Sequence, residues 1–194
     1  YESFHAKKIK NAKSVRTIAD GIAVRDANPI NFNIILECVD DFIQVDDEEI
    51  ANAVLFLLEK HKIIVEGAGA ASVAALLHQK INTQNHKKIG VVLSGGNIDA
   101  QMLNIIIEKG LFKSYRKMQI HVTLLDKTWA LLHLTYSLKI AYANIVKIDY
   151  DRFSTKLDYG DAMISITLET KGKEHQEEIR KILTQKAFNF YESF

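Results

Sequence analysis

Met118, Ile120, Val122 and Leu124 are separated by Gln119, His121 and Thr123. Strict alternation of this kind fixes a β-strand with one dry face, because successive side chains leave a strand on opposite sides. Ala130, Leu131, Leu132, Leu134 and Leu138 then recur at helical spacing. Ile145, Ile148 and Tyr150 mark a second strand, and residues 162–169 a third. A polar-faced helix from Glu174 to Leu183 and a last strand from Ala187 to Tyr191 complete the series. The order β-α-β-β-α-β has few solutions, because a sheet with one apolar face must be covered by the helices between its strands. The ferredoxin-like arrangement is the expected one.

The part before Met118 reads differently. Residues 40–45 predict a short strand. Asp46 with Glu49 three residues on predicts a capped helix start, and Ile50, Val54, Leu57 and Leu58 carry that helix to His61. Glu66-Gly67-Ala68-Gly69-Ala70-Ala71-Ser72 opens a small-residue helix that runs to about His78. Ile89-Gly90-Val91-Val92-Leu93 predicts a buried strand. It breaks at Ser94-Gly95-Gly96-Asn97 and restarts as a helix over 98–108, with a stop at Gly110. Strands alternating with helices predict an α/β layer with a largely parallel sheet. The basic stretch Lys113-Ser114-Tyr115-Arg116-Lys117 divides the chain into parts 1–117 and 118–194.

Composition narrows the function classes. The 194 residues carry 25 Lys+Arg against 24 Asp+Glu, and 47% are hydrophobic. That is ordinary globular composition. The near-neutral balance argues against nucleic acid as a partner, and no apolar run approaches the ~20 residues of a membrane span. A single cysteine, Cys38, forms no internal disulfide, so the expectation is a reducing, cytoplasmic setting. Seven histidines (His5, His61, His78, His86, His121, His133 and His175) lack paired ligand spacing, and no metal site is expected. The first residue is Tyr1, which raises the expectation of a fragment of something longer. Tyr-Glu-Ser-Phe occurs at 1–4 and again at 191–194; four residues make no structural repeat.

Two segments carry chemistry. Strand, Ser94-Gly95-Gly96-Asn97, helix is a unit in which glycines admit close approach of a ligand to the backbone. The following helix start offers positive charge, and Ser94 offers one neutral hydroxyl at the sheet's carboxyl edge. The Gly67-Ala68-Gly69 run only superficially resembles a dinucleotide fingerprint. Its third glycine is Ser72, and no Asp or Glu occurs from Gly67 through Ile98, so the ribose-binding acid is missing. Small residues here let a helix sit close to a neighbour.

Four blocks in order, Thr17-Ile18-Ala19-Asp20-Gly21-Ile22-Ala23-Val24, Val39-Asp40-Asp41, Val65-Glu66-Gly67-Ala68-Gly69-Ala70-Ala71 and Val92-Leu93-Ser94-Gly95-Gly96-Asn97, resemble the threonine/serine dehydratase family. The resemblance implies the pyridoxal-phosphate fold called type II, with 1–117 as the C-terminal part of its catalytic domain. Residues 118–194 are similar to the ACT regulatory domain that some members carry. The implied fold class is therefore α/β followed by a ferredoxin-like unit. The implied activity is elimination of water from L-threonine (or L-serine), giving 2-oxobutanoate and ammonia from threonine. The implied cofactor is pyridoxal 5'-phosphate. Ser94 matches the serine that hydrogen-bonds the pyridine nitrogen, Gly95, Gly96 and Asn97 shape the same wall, Gly21 lies near the cofactor, and Glu66 matches an acid close to the ring edge.

The departures matter equally. The family's Schiff-base lysine lies in an S-F-K-x-R segment, and Ser3-Phe4-His5-Ala6-Lys7 does not match it. The asparagine loop and glycine-rich phosphate cup have no counterpart here either. No catalytic residue is therefore assigned, and the expectation is that the chain alone is inert. In the ACT-like part the implied regulatory residues are Asp126, Trp129, Asn144 and Ile145. Trp129 and Tyr142 stand where the family has glycine. Two aromatics there are expected to crowd an effector pocket and to forbid positive φ, so that isoleucine or valine is sensed poorly. The expected partners are an amino-acid substrate, an amino-acid effector, and further copies of the chain in a dimer or tetramer. The alternative is a stand-alone ACT-bearing binding module.

Overall fold

The computed structural model describes residues 1–84 and 88–193; His86 lies outside them. The chain divides into two compact units, Tyr1–Ile107 and Glu108–Phe194.

The first unit is built from helices α1 (Glu2–Ala6), α2 (Pro29–Cys38), α3 (Asp47–Phe56), α4 (Gly67–Leu77) and the first part of α5 (Ala100–Lys113). Helix α3 starts as the sequence dictates. Glu49 N–H donates to Asp46 Oδ1 at 2.8 Å, and Asp46 N–H donates to Glu49 Oε2 at 2.9 Å. The reciprocal pair satisfies two N–H groups that the helix cannot satisfy itself. The helix continues as one π turn over Leu57–His61 and ends at Lys62, whose φ of 60° stops it. Ile50, Ala53, Val54 and Leu57 face Val65, Ala70 and Ala74 in a small core. The buried face of α4 is alanine and glycine only, so neighbouring segments can approach it closely.

Glu49 also meets Lys80 at 2.7 Å. That ammonium first, and the Asp46 N–H second, hold the Glu49 carboxyl below its ordinary value. A carboxyl depressed in the folded state adds stability that is present above the ordinary carboxylate range and fades as pH falls through it. Thermal melts from pH 7 to pH 3 should therefore show a larger loss for the native chain than for Glu49→Gln. Equal losses would remove this pair from the acid response.

Two expectations fail in this unit. Residues 40–45 and 89–93 form no strand, and among the described residues the unit holds no sheet at all. Neither segment pairs with a neighbour, and a strand exists only when its backbone groups meet those of another. The segment expected to be buried is instead open, with Val92 78% exposed. Gly110 also fails as a stop, because α5 runs through it to Lys113. The helix ends where Tyr115 turns to φ 58° and Arg116 N–H reaches back to the Leu111 carbonyl at 2.8 Å.

The second unit has strands β1 (Lys117–Leu125), β2 (Asn144–Asp151), β3 (Asp161–Glu169) and β4 (Asn189–Ser193), with α6 (Ala130–Ile140) and α7 (Lys173–Gln185). The sheet order is β2-β3-β1-β4, and every pairing is antiparallel. This is the ferredoxin-like order read from the alternation. Ile120 lies opposite Ile166, Val122 opposite Ile164 and Phe190. With Met118 and Leu168 they form one buried row, closed by Leu134 and Leu138 of α6 and Ile179 and Leu183 of α7. A polar tie crosses this core: buried Gln176 donates through Nε2 to the Lys117 carbonyl at 3.0 Å and to Thr170 Oγ1 at 3.1 Å.

Candidate cofactor site

Ser94, Gly95, Gly96, Asn97, Gly21 and Glu66 come together in the first unit around the start of α4. The segment from Val92 to Asn97 lies along that helix, held by its carbonyls. Ser72 Oγ donates to the Val92 carbonyl at 2.9 Å, and Glu66 N–H donates to the Gly95 carbonyl at 3.3 Å. Between them the Ser94 carbonyl rests on Gly69, so closely that a Cβ at 69 would lie 1.9 Å from its oxygen. Glycine and serine three residues apart share one helix face, and this face is shaped to take a backbone. Gly69 and Ser72 were legible in the sequence only as small residues allowing close approach; the partner turns out to be the site segment itself.

The loop then turns at Gly95, with φ +77°. Any other residue would be strained in this region. Glu66 Oε2 accepts from Asn97 N–H at 3.2 Å. Gly21 belongs to a short 3-10 turn (Asp20–Ile22) beside the same helix, where a Cβ would lie 3.1 Å from that of Ala68. The segment before that turn is tied down by Asp47, which accepts from Ile18 N–H at 3.2 Å and from the Thr17 hydroxyl. Sequence reasoning missed Asp47, whose place in an acidic run signals only a helix start. Ser94 is exposed. It ends a segment docked on a helix, not a strand at the edge of a sheet as expected.

Residues 1–95 match the family model described as pyridoxal-phosphate dependent enzyme. The chain is 41% identical to an L-threonine ammonia-lyase of Thermotoga maritima over 172 residues, covering 89% of this chain and 42% of the relative. It is 41% identical to one from Geobacter sulfurreducens over 177 residues, 91% of this chain and 44% of the relative.

Residues 1–95 are thus similar to pyridoxal-phosphate dependent enzymes.

The second unit is ferredoxin-like in its sheet order, and the family match lies within the first. The chain spans less than half the length of the relatives just described. An alignment of 172 residues runs well into the second unit, which begins at Glu108. By contrast, the L-threonine dehydratase catabolic TdcB of Escherichia coli K12, at 38% identity, aligns over 106 residues, 54% of this chain and 32% of its own. The family's cofactor is pyridoxal phosphate. The residues around α4 fit such a group in their chemistry: Ser94 is an exposed neutral hydroxyl residue, and Gly21, Gly95 and Gly96 are exposed and carry no side chain. Among the described residues no cluster of three metal-ligating side chains exists, and no helix is long and apolar enough to cross a membrane.

The four residues implied as regulatory do not form one group. Asp126 accepts from the Tyr150 hydroxyl at 2.7 Å and meets Arg152 at 3.3 Å. These line an open cleft with Lys127, Thr128, Trp129 and Leu131. The Tyr150 hydroxyl is pushed up, first by its hydrogen bond to Asp126. Asn144 and Ile145 sit at the other end of β2, where Asn144 Nδ2 donates to Glu169 Oε2 at 2.6 Å. Six residues of strand, roughly 20 Å, separate the two ends.

The expectation that aromatics forbid positive φ is also overturned. Tyr142 takes φ 54°, and its N–H closes the end of α6 on the Lys139 carbonyl at 3.0 Å. The ring escapes crowding by pointing into solvent, 82% exposed. Trp129, more than half exposed, keeps an ordinary φ of −90°. A left-handed tyrosine costs about 1 kcal/mol. Tyr142→Gly should therefore raise stability by up to that amount in urea denaturation, and a loss of stability would show that the ring is needed.

Proposed function

We propose that this chain is a portion of a pyridoxal-phosphate-dependent L-threonine (L-serine) dehydratase, which converts threonine to 2-oxobutanoate and ammonia. The single observation that carries the reading is the docking of Ser94-Gly95-Gly96-Asn97 on α4. The segment's backbone is held by Ser72, Gly69 and Glu66, and Ser94 is exposed on it. When bound, pyridoxal phosphate supplies an electron sink for the bonds at the substrate's α-carbon.

The protein's share is to tune that sink. Ser94 would hold the ring nitrogen by a hydrogen bond without placing a charge beside it. A carboxylate there would keep the nitrogen protonated and stabilise a full carbanion. A neutral hydroxyl leaves less stabilisation and favours departure of the β-hydroxyl over side reactions. Exposed Gly95 and Gly96 would let the ring approach the loop, with Gly21 on the other side of the Glu66 carboxylate.

The lysine that carries the cofactor in this family has no matching segment here, so the 194-residue chain is expected to release no 2-oxobutanoate by itself. The second unit is read as an ACT domain, on the strength of its βαββαβ order and of the relatives whose similarity extends through it. It would pair subunits in a dimer or tetramer and sense isoleucine or valine weakly, since the residues implied for that role are divided between the two ends of β2.

The deciding experiment uses the complete polypeptide with cofactor and L-threonine. 2-Oxobutanoate should form, and Ser94→Asp should lower kcat by at least about a hundredfold, comparable to the loss of a preorganised hydrogen-bonding group at a reacting centre. An unchanged kcat in Ser94→Asp would remove Ser94 from the site and the dehydratase reading with it.

A further inference from the structure

Glu66 stands at the N-cap of α4, where the shorter side chains of Ser, Thr, Asp and Asn accept from the first N–H groups of the helix. It does not do so: its side chain makes no cap hydrogen bond. The carboxylate reaches across to the site loop instead, and Oε2 accepts from Asn97 N–H at 3.2 Å. The same residue's backbone N–H donates to the Gly95 carbonyl at 3.3 Å. One residue thus grips both sides of the Gly95-Gly96 turn.

The space around the carboxylate is reserved by glycines. A Cβ on Gly95 would lie 2.2 Å from Glu66 Oε1, and one on Gly21 would lie 3.4 Å from it. Gly95 is therefore required twice over, for its positive φ and for the volume the carboxylate occupies. Two loops far apart in sequence are bare where they face this one side chain.

We infer that Glu66 is a positioning residue which braces the Ser94–Asn97 loop from beneath and so sets the height of the Ser94 hydroxyl; the consequence for the cofactor rests on the reading above. This differs from the role implied by family resemblance, an acid at the ring edge, because Oε2 is already engaged by the loop's own backbone. A carboxylate suits the task better than a neutral acceptor only in strength, so the amide isostere should still serve.

The test compares Glu66→Gln and Glu66→Ala in the complete polypeptide. The first readout needs no cofactor: amide hydrogen exchange over residues 94–97. Exchange should accelerate at least tenfold in Glu66→Ala and less than threefold in Glu66→Gln, which keeps an oxygen for Asn97 N–H. The second readout is pyridoxal phosphate itself, by titration and by its bound absorbance and emission spectrum. Glu66→Ala should bind it about tenfold more weakly with a shifted spectrum, and Glu66→Gln should match the native protein. Unchanged exchange in Glu66→Ala overturns the inference. So does a Glu66→Gln variant as impaired as the alanine one, since charge and not bracing would then be the active property. If exchange responds as expected while the native protein binds no pyridoxal phosphate, the brace stands and the cofactor reading falls.

Discussion

Gly69→Ala should lower the stability of the first unit by about 3 kcal/mol, a large overpacking penalty. Two effects oppose each other here. Alanine favours a helix interior over glycine by about 0.5–1 kcal/mol. Against this, the new Cβ would sit 1.9 Å from the Ser94 carbonyl oxygen and 2.7 Å from Val65. Neither neighbour is the free end of a flexible side chain: one is backbone, the other belongs to a core residue 3% exposed. The packing term wins, and α4 and the site segment must part. Because this unit is helical, urea denaturation followed by ellipticity at 222 nm reads the change. Gly90→Ala is the control, since among the described residues nothing lies within 4 Å of a Cβ there. Equal stability of the two variants would mean that the segment is not seated on α4.

Ile166→Ala should cost the second unit about 2–5 kcal/mol, the range for truncating a buried aliphatic side chain. Ile166 is fully buried at the centre of the sheet, opposite Ile120 on one side and Ile148 on the other. Strand backbones hold their spacing through hydrogen bonds, so the layer cannot collapse into the space left. The upper half of the range is therefore expected. Trp129, the one tryptophan, lies in this unit, so its fluorescence reports the second unit's unfolding separately. A loss below about 1 kcal/mol would show a core able to close around the cavity. Ile166→Val, which removes a single methylene, should cost about 1 kcal/mol.

The two units differ in how far sequence could describe them. In the second, alternation over 118–124 decides both the strand and its buried face, and each later element can be placed against it. In the first, Ile89–Leu93 has strand composition but no strand beside it, and composition cannot say whether a neighbour is present. Tyr-Glu-Ser makes the same point within one chain. At 1–3 these residues open helix α1, and at 191–193 they form β4 against Gln119–His121. Three residues with one set of propensities take the conformation their surroundings supply.

The site was legible to a similar extent. The family resemblance named Ser94–Asn97, Gly21 and Glu66, and in the structure they lie together around the start of α4. What escaped was the support beneath them. Gly69, Ser72 and Asp47 look like helix composition until the segment they hold is seen. The residues implied as regulatory failed to converge for a different reason: position in a motif gives no distance, and β2 carries its two ends apart.

The seat of the Ser94 carbonyl on Gly69 also bears on how this chain can vary over generations. At Ala68 or Ala71, half-buried along α4, a Cβ is already accommodated, and changes there meet a penalty that grows with the size of the group added. At 69 no such gradient exists, since every missense change introduces at least one carbon into space held by an oxygen. That position acts as a fixed point: the loop and the helix can diverge around it only together.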